Sequence, residues 1–140
     1  MRYGELLHLL FIDLQRIFRL KIIFEDTSFQ QLIAISIIPL NDIAMSSIAK
    51  VLGIDNSTAT RLVAGLENKG WIKRIKCKDD KRIIMVSLTN RGLGIQNKLE
   101  KKINDLGILV EKRIKPKLRL ETNEGLRLLH WELLKMIDKK

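Results

Sequence analysis

Ser57, Thr58, Thr60 and Arg61 place three short hydroxyls and a guanidinium within five residues, and Lys73, Arg74, Lys76, Lys78, Lys81 and Arg82 follow closely. Groups of these types bind anionic oxygens: ammonium groups act as point charges on phosphate, and a guanidinium adds a planar fork that matches paired acceptors. Over the whole chain, 26 Lys and Arg oppose 16 Asp and Glu, a formal net charge of +10 in 140 residues. Such a balance points to a polyanionic partner or an anionic surface. The excess is local. Residues 71–92 carry 7 basic and 2 acidic groups and residues 93–119 carry 8 and 3, whereas 1–40, 41–70 and 120–140 are each neutral.

Other chemistries find little support. There is no Gly-rich phosphate loop, no His-Glu-x-x-His and no nucleophile elbow, so no catalytic residue and no cofactor is assigned, and an enzyme is not expected. The single cysteine, Cys77, cannot close an internal disulfide, and His8 and His130 lie far apart without clustered ligands, so no metal site is expected. Cys77, flanked by Lys76 and Lys78, is a candidate thiol sensor that lacks a resolving cysteine. Hydrophobic residues at 46% and charged residues at 30% fit a soluble folded protein of one domain. The longest apolar run, Leu32 to Leu40, is interrupted by Ser36 and Pro39 and is too short to span a bilayer, so no membrane partner is expected. The first residues offer no clean signal-peptide pattern, and the expected location is the cytoplasm.

The elements that would position the basic and hydroxyl groups follow from hydrophobic period. Leu7, Leu10, Phe11, Leu14, Ile17 and Phe18 recur at spacings of three and four, predicting a helix over 5–24. Thr27 with Gln30 has capping-box form and opens a second helix that stops near Pro39. Ile48, Ala49, Val51 and Leu52 make a short third helix ending at Gly53. Asp55, Asn56 or Ser57 caps a fourth, in which Ala59, Leu62, Val63 and Leu66 share a face and Gly70 marks the exit. Two short helices joined by a Gly-containing turn are a helix-turn-helix candidate. Residues 71–76 and 82–88 are β-prone around a polar tip at 77–81, and a ribbon after a helix-turn-helix is a wing. Helical spacing returns over 93–114 until Pro116, and a last helix opens at Thr122 with Glu124. The order is αααα-ββ-αα, without repeats or low-complexity linkers.

Taken in order, these fragments resemble the MarR family of transcriptional regulators. The resemblance rests on Thr27-Ser28-Phe29-Gln30, Ile48-Ala49, Ser57-Thr58-Ala59-Thr60-Arg61-Leu62-Val63 and Leu66-Glu67-Asn68-Lys69-Gly70-Trp71-Ile72-Lys73-Arg74. Its most specific piece is the wing, where Asp80-Lys81-Arg82 and then Leu88-Thr89-Asn90-Arg91-Gly92 are similar to the family's D-x-R tip and L-T-x-x-G exit. Two positions depart from the pattern. Ala44 stands where the family often has a capping Ser or Thr, which shifts the expected cap to Asp42 or Ser46, and Trp71 stands where Leu is commoner. The resemblance implies a mainly α fold with a two-stranded β wing. Residues 1–140 would be a single unit, with a winged helix-turn-helix over about 27–92 and helical dimerisation regions over about 1–25 and 93–140.

It also implies a function: sequence-specific binding of double-stranded DNA by a homodimer, as a transcriptional regulator and more specifically a repressor on a pseudo-palindromic operator. A recognition helix enters the major groove by its N-terminal residues, here Ser57, Thr58, Thr60 and Arg61, with Arg61 the main base reader and the hydroxyls donating to phosphates or bases. Arg82 resembles the family arginine that enters the minor groove. Asp80 would orient a wing arginine, either Arg74 or Arg82, while Lys73, Lys76, Lys78 and Lys81 neutralise phosphates. A small-molecule effector of unknown identity is a further possible partner. The second basic stretch, Lys112 to Arg119, lies away from the expected duplex face and reads by default as solvated. The rival function is a winged-helix protein-interaction or RNA-binding module, against which the basic wing argues.

Overall fold

The structure, a computed structural model, describes residues 1–24 and 26–138. It is formed by α1 (Tyr3–Lys21), α2 (Phe29–Ser36), β1 (Ile43–Ala44), α3 (Met45–Leu52), α4 (Asn56–Asn68), β2 (Ile72–Lys76), β3 (Ile84–Leu88), α5 (Asn90–Arg113), a 3-10 turn (Pro116–Leu118) and α6 (Arg119–Asp138). Contacts divide the chain into two compact units, 1–103 and 104–140. No helix among the described residues is long and apolar enough to cross a membrane.

In the first unit the helix-turn-helix is built by local chemistry. Gly53 ends α3 at φ 67°, a left-handed conformation that glycine adopts without a Cβ penalty. The Asp55 carboxylate accepts from the Thr58 N–H at 2.7 Å and caps α4. Ala59, Val63 and Leu66 on α4 are buried together with Ile35 on α2 and Ile48 on α3, so the apolar stripes close one core.

The sheet has three strands rather than the two expected, ordered β1-β3-β2 and antiparallel throughout. The additional strand is two residues long, with Ile43 opposite Val86 and Ala44 opposite Met85, too short for an alternating pattern to reveal. It also corrects the capping expectation at α3. Ala44 itself precedes that helix, in extended conformation and with no side-chain cap, so neither Asp42 nor Ser46 takes the role. Pairing to β3 holds the backbone that a hydroxyl would otherwise fix.

Other boundaries shift too: α1 runs Tyr3–Lys21 where 5–24 was expected, and α5 begins at Asn90 rather than at 93. At α2 the capping box belongs to Ser28 and Gln31, one residue later than expected: the Gln31 N–H donates to Ser28 Oγ at 3.1 Å and the Ser28 N–H to Gln31 Oε1 at 3.1 Å. The Thr27 hydroxyl instead donates to the Phe24 carbonyl at 2.6 Å. In the wing, β3 begins at Ile84 and not at Arg82, because the Arg82 N–H is spent on the Asp80 carboxylate and the Ile83 N–H on the Asp80 carbonyl. In the second unit, α6 begins at Arg119 and not at Thr122, whose hydroxyl donates back to the Leu118 carbonyl from inside the helix.

The exit from the wing explains the Leu-Thr-x-x-Gly pattern. The Thr89 N–H donates to the Trp71 carbonyl at 3.0 Å, its hydroxyl donates to the Gly70 carbonyl at 2.6 Å, and its oxygen accepts from the Gly92 N–H at 3.0 Å. One threonine thereby joins the start of β2 to the first turn of α5. A Cβ on Gly92 would lie 1.8 Å from the Trp71 carbonyl oxygen, so only glycine allows this approach.

Candidate nucleic-acid interface

The first turn of α4 carries the hydroxyl cluster. Asp55 Oδ1 accepts from the Ser57 hydroxyl at 2.6 Å and Oδ2 from the Thr58 hydroxyl at 2.9 Å, in addition to the Thr58 N–H. The Ser57 hydroxyl, then the Thr58 N–H and hydroxyl, hold the Asp55 carboxyl down from the ordinary value of 3.8 to about 2. Bonds to an ionised acceptor are roughly twice as strong as neutral ones. The Thr60 hydroxyl donates to the Asn56 carbonyl at 2.8 Å. All three hydroxyl protons are therefore taken up by acceptors of the protein itself. Ser57, Thr60 and Arg61 are exposed, while Thr58 is half-buried.

At the wing tip the geometry selects between the two expected arginine partners of Asp80. Arg82 Nε donates to Asp80 Oδ1 at 3.1 Å and Nη2 to Oδ2 at 3.2 Å, a forked pair, and the Arg82 side chain remains 91% exposed. The same arginine draws the Asp80 carboxyl below the usual aspartate range. Arg74 goes elsewhere: its Nη2 donates to Glu67 Oε1 at 2.8 Å and its Nε to Oε2 at 3.2 Å. Its hydrogen bonds lower the Glu67 pKa, and Glu67 raises that of Arg74. This pair ties the last turn of α4 to β2 and so joins the second helix of the helix-turn-helix to the wing. Sequence reasoning did not single out Glu67; the available signal was an acid at the helix end, just ahead of a basic strand.

Lys73, Lys76, Lys78 and Lys81 are exposed along β2 and the tip, while Cys77 is half-buried there. A cleft of about 590 Å³ opens beside the hydroxyl cluster, lined among others by Gln15 and Arg19 of α1, Phe29 and Gln31 of α2, and Thr58 and Arg61 of α4. Arg19 lies over the Phe29 ring at 4.9 Å. In the second unit, Arg119 Nε donates to the carbonyls of Glu111 and Ile114 at 3.0 and 3.1 Å. One member of the second basic stretch is thus a cap for the end of α5, and Lys112 and Arg113 in its last turn complement the negative end of the helix dipole.

Residues 36–84 match the model of the MarR family. Over 74 residues the chain is 32% identical to the HTH-type transcriptional regulator SarZ of Staphylococcus haemolyticus, covering 53% of this chain and 49% of that protein. Over 67 residues it is 33% identical to the transcriptional repressor MprA of Escherichia coli, covering 48% of this chain and 38% of that protein. The chain spans from about a third to about half the length of the curated relatives it matches. Among solved structures, a cysteine-to-serine variant of MarR from Escherichia coli complexed with operator DNA is similar at a TM-score of 0.72 and 26% identity, over 88% of this chain and 89% of that one. These relatives are transcriptional regulators, not enzymes.

Proposed function

We propose that this chain, whose residues 36–84 match the model of the MarR family, is a sequence-specific double-stranded DNA-binding transcriptional regulator, a repressor that binds a pseudo-palindromic operator as a homodimer in the cytoplasm. The observation that carries the reading is the wing tip. Arg82 projects almost wholly into solvent while Asp80 holds one edge of its guanidinium, through Nε and Nη2, in a fixed plane, an arrangement suited to insertion into a narrow, electronegative minor groove. The N-terminal half of α4 supplies the major-groove element, with Arg61 free to meet guanine. Lys73, Lys76, Lys78 and Lys81 neutralise phosphates, each contributing about 0.9 to the slope of log affinity on log salt. Arg74, tied to Glu67, braces the wing rather than reading DNA. The repressor reading is supported by the likeness to MprA, and the operator reading by the likeness to MarR in its DNA complex.

Homodimer formation is supported by surplus apolar surface. Leu6, Leu9, Phe11 and Leu14 on α1 are 45%, 45%, 62% and 53% exposed, and Trp131 on α6 is 58% exposed. A two-fold dimer sets its recognition helices about 34–36 Å apart, one helical turn of duplex. The cleft beside Arg61 offers a place for a small-molecule effector, with two arginines and an aromatic ring in its lining.

The test is fluorescence anisotropy of the purified protein on duplexes from upstream of its own gene, against scrambled duplexes at several salt concentrations. Selective binding that weakens with salt and with Arg82→Ala supports the operator reading. Equal weak binding to every duplex, indifferent to Arg82→Ala and Arg61→Ala, overturns it in favour of an interaction or RNA-binding module.

A further inference from the structure

Ser57, Thr60 and Arg61 are all exposed and lie three and four residues apart, so they share one face of α4. A hydroxyl has one proton to donate and two lone pairs that accept, and its rotor usually adapts to the partner. Here the rotors are set. The acceptor of the Ser57 proton is a carboxylate and that of the Thr60 proton is a backbone carbonyl, neither of which has a proton to give back. What Ser57 and Thr60 turn outward is therefore lone pairs only, next to a guanidinium that only donates.

From this pattern of polarity we infer that α4 discriminates bases as two acceptors and one donor. Ser57 and Thr60 select bases that carry an exocyclic amino group on the contacted strand, and Asp55 is the positioning residue that enforces this at Ser57. In the major groove the amino groups are adenine N6 and cytosine N4, whereas guanine and thymine present acceptors there. A keto base opposite Ser57 or Thr60 would set acceptor against acceptor, or require the hydroxyl to give up its present bond. Every base pair has an amino group on one strand, so the selection falls on the orientation of a pair rather than on its composition: A·T over T·A and C·G over G·C. Arg61 makes the complementary choice, guanine. The inference rests on the duplex-reading function proposed above.

Asp55→Gly separates enforcement from capping. Glycine is among the residues preferred at a helix N-cap, so α4 keeps its start. Asp55 Oδ1 accepts from both the Ser57 hydroxyl and the Thr58 N–H, so removing the carboxylate, and not converting it to an amide, frees the Ser57 proton to point outward. Thr60 is bound to a backbone carbonyl and is untouched, which makes it an internal control.

The experiment is enrichment of duplexes from a randomised pool by the full chain and by its Asp55→Gly and Ser57→Ala variants, read by sequencing. It is followed by affinity measurement on the selected duplex with purine replacing adenine, which removes the amino group alone. The expected result is adenine or cytosine favoured at the positions facing Ser57 and Thr60, with each amino deletion weakening binding roughly fivefold, the scale of one hydrogen bond. Ser57→Ala should make binding indifferent to the deletion at its own position, and Asp55→Gly should admit guanine or thymine at that position and not at the one facing Thr60. A selected site with keto bases or no preference at both positions overturns the inference while leaving duplex reading intact. So does Asp55→Gly binding that weakens equally on all sequences with unchanged preference, since Asp55 would then be a cap alone. A pool from which the unmodified chain selects nothing overturns the duplex-reading proposal as well.

Discussion

The middle of the chain and its two outermost helices treat apolar side chains in opposite ways. Every buried apolar residue among the described ones lies between Ile22 and Leu99, whereas α1 and α6 bury none and yet carry Phe11 and Trp131 at 62% and 58% exposure. Contiguous apolar surface of this kind on a helix marks a place where another surface belongs. The contrast separates two uses of hydrophobicity: within 22–99 it folds the winged helix, and on α1 and α6 it is left exposed, as the proposed homodimer requires. The largest effect therefore comes from attacking the second use alone. Replacing Phe11 and Leu14 with Glu should convert the proposed dimer into monomers by light scattering while the thermal unfolding transition of the winged helix survives. Loss of the fold in that variant would place α1 in the core and remove the contrast.

A pair of glycine substitutions sharpens the first use. Gly92→Ala drives a methyl into the Trp71 carbonyl, and because backbone cannot swing aside as a side chain can, a loss of about 1–3 kcal/mol or more is expected from urea unfolding. Gly94→Ala, two residues on in the same helix and with open space around it, should instead stabilise by roughly 0.5–1 kcal/mol. Equal responses would mean that the approach of Trp71 to α5 does not constrain the fold.

Most of this architecture was legible because it is written in periodic apolar spacing and in residues whose chemistry is local. The cap at Asp55, the glycine at 53 and the helix-turn-helix stripe all act within a few residues of themselves. What could not be read was set by partners distant in sequence or by competition among neighbours. β1 exists only because residues 43–44 meet 85–86, and that pairing displaced the cap expected at Asp42 or Ser46. Arg74 and Arg82 were both expected as partners of Asp80, but Glu67, seven residues before Arg74, takes Arg74 and leaves Asp80 to Arg82. At the hydroxyl cluster the residue types were recognised, but the direction of their protons depends on where the Asp55 oxygens lie, which spacing alone does not tell.

At the surface the same contrast predicts a smaller and more selective effect. With its side chain 91% exposed, Arg82 contributes to no packing, so Arg82→Ala should leave the unfolding midpoint unchanged and weaken operator binding about tenfold, about 1.4 kcal/mol. Asp80→Asn should weaken binding less, since the arginine stays but loses its fixed plane. A shift in melting temperature for Arg82→Ala would show the wing tip to be part of the fold rather than of the interface.

The smallest expected effect is on acid stability, and its sign follows from the carboxylates. Asp55 falls from 3.8 to about 2 in the folded chain, and Glu67 and Asp80 shift in the same direction through their arginine partners. A carboxyl with a folded pKa below its unfolded one stabilises the fold fully above the unfolded value, and that stabilisation is lost as pH falls through the folded value. For Asp55 the window runs from about pH 4 down to about pH 2. Its partners there are mainly hydroxyls and an N–H, whereas those of Glu67 and Asp80 are cations whose attraction salt screens. Urea midpoints measured from pH 6 to pH 2 in high salt should isolate the Asp55 contribution. The Asp55→Asn variant should then show a shallower acid decline than the unmodified chain. Coincident declines would mean that the carboxylate does not hold its hydroxyl partners in solution, and the outward lone pairs of Ser57 would lose their support.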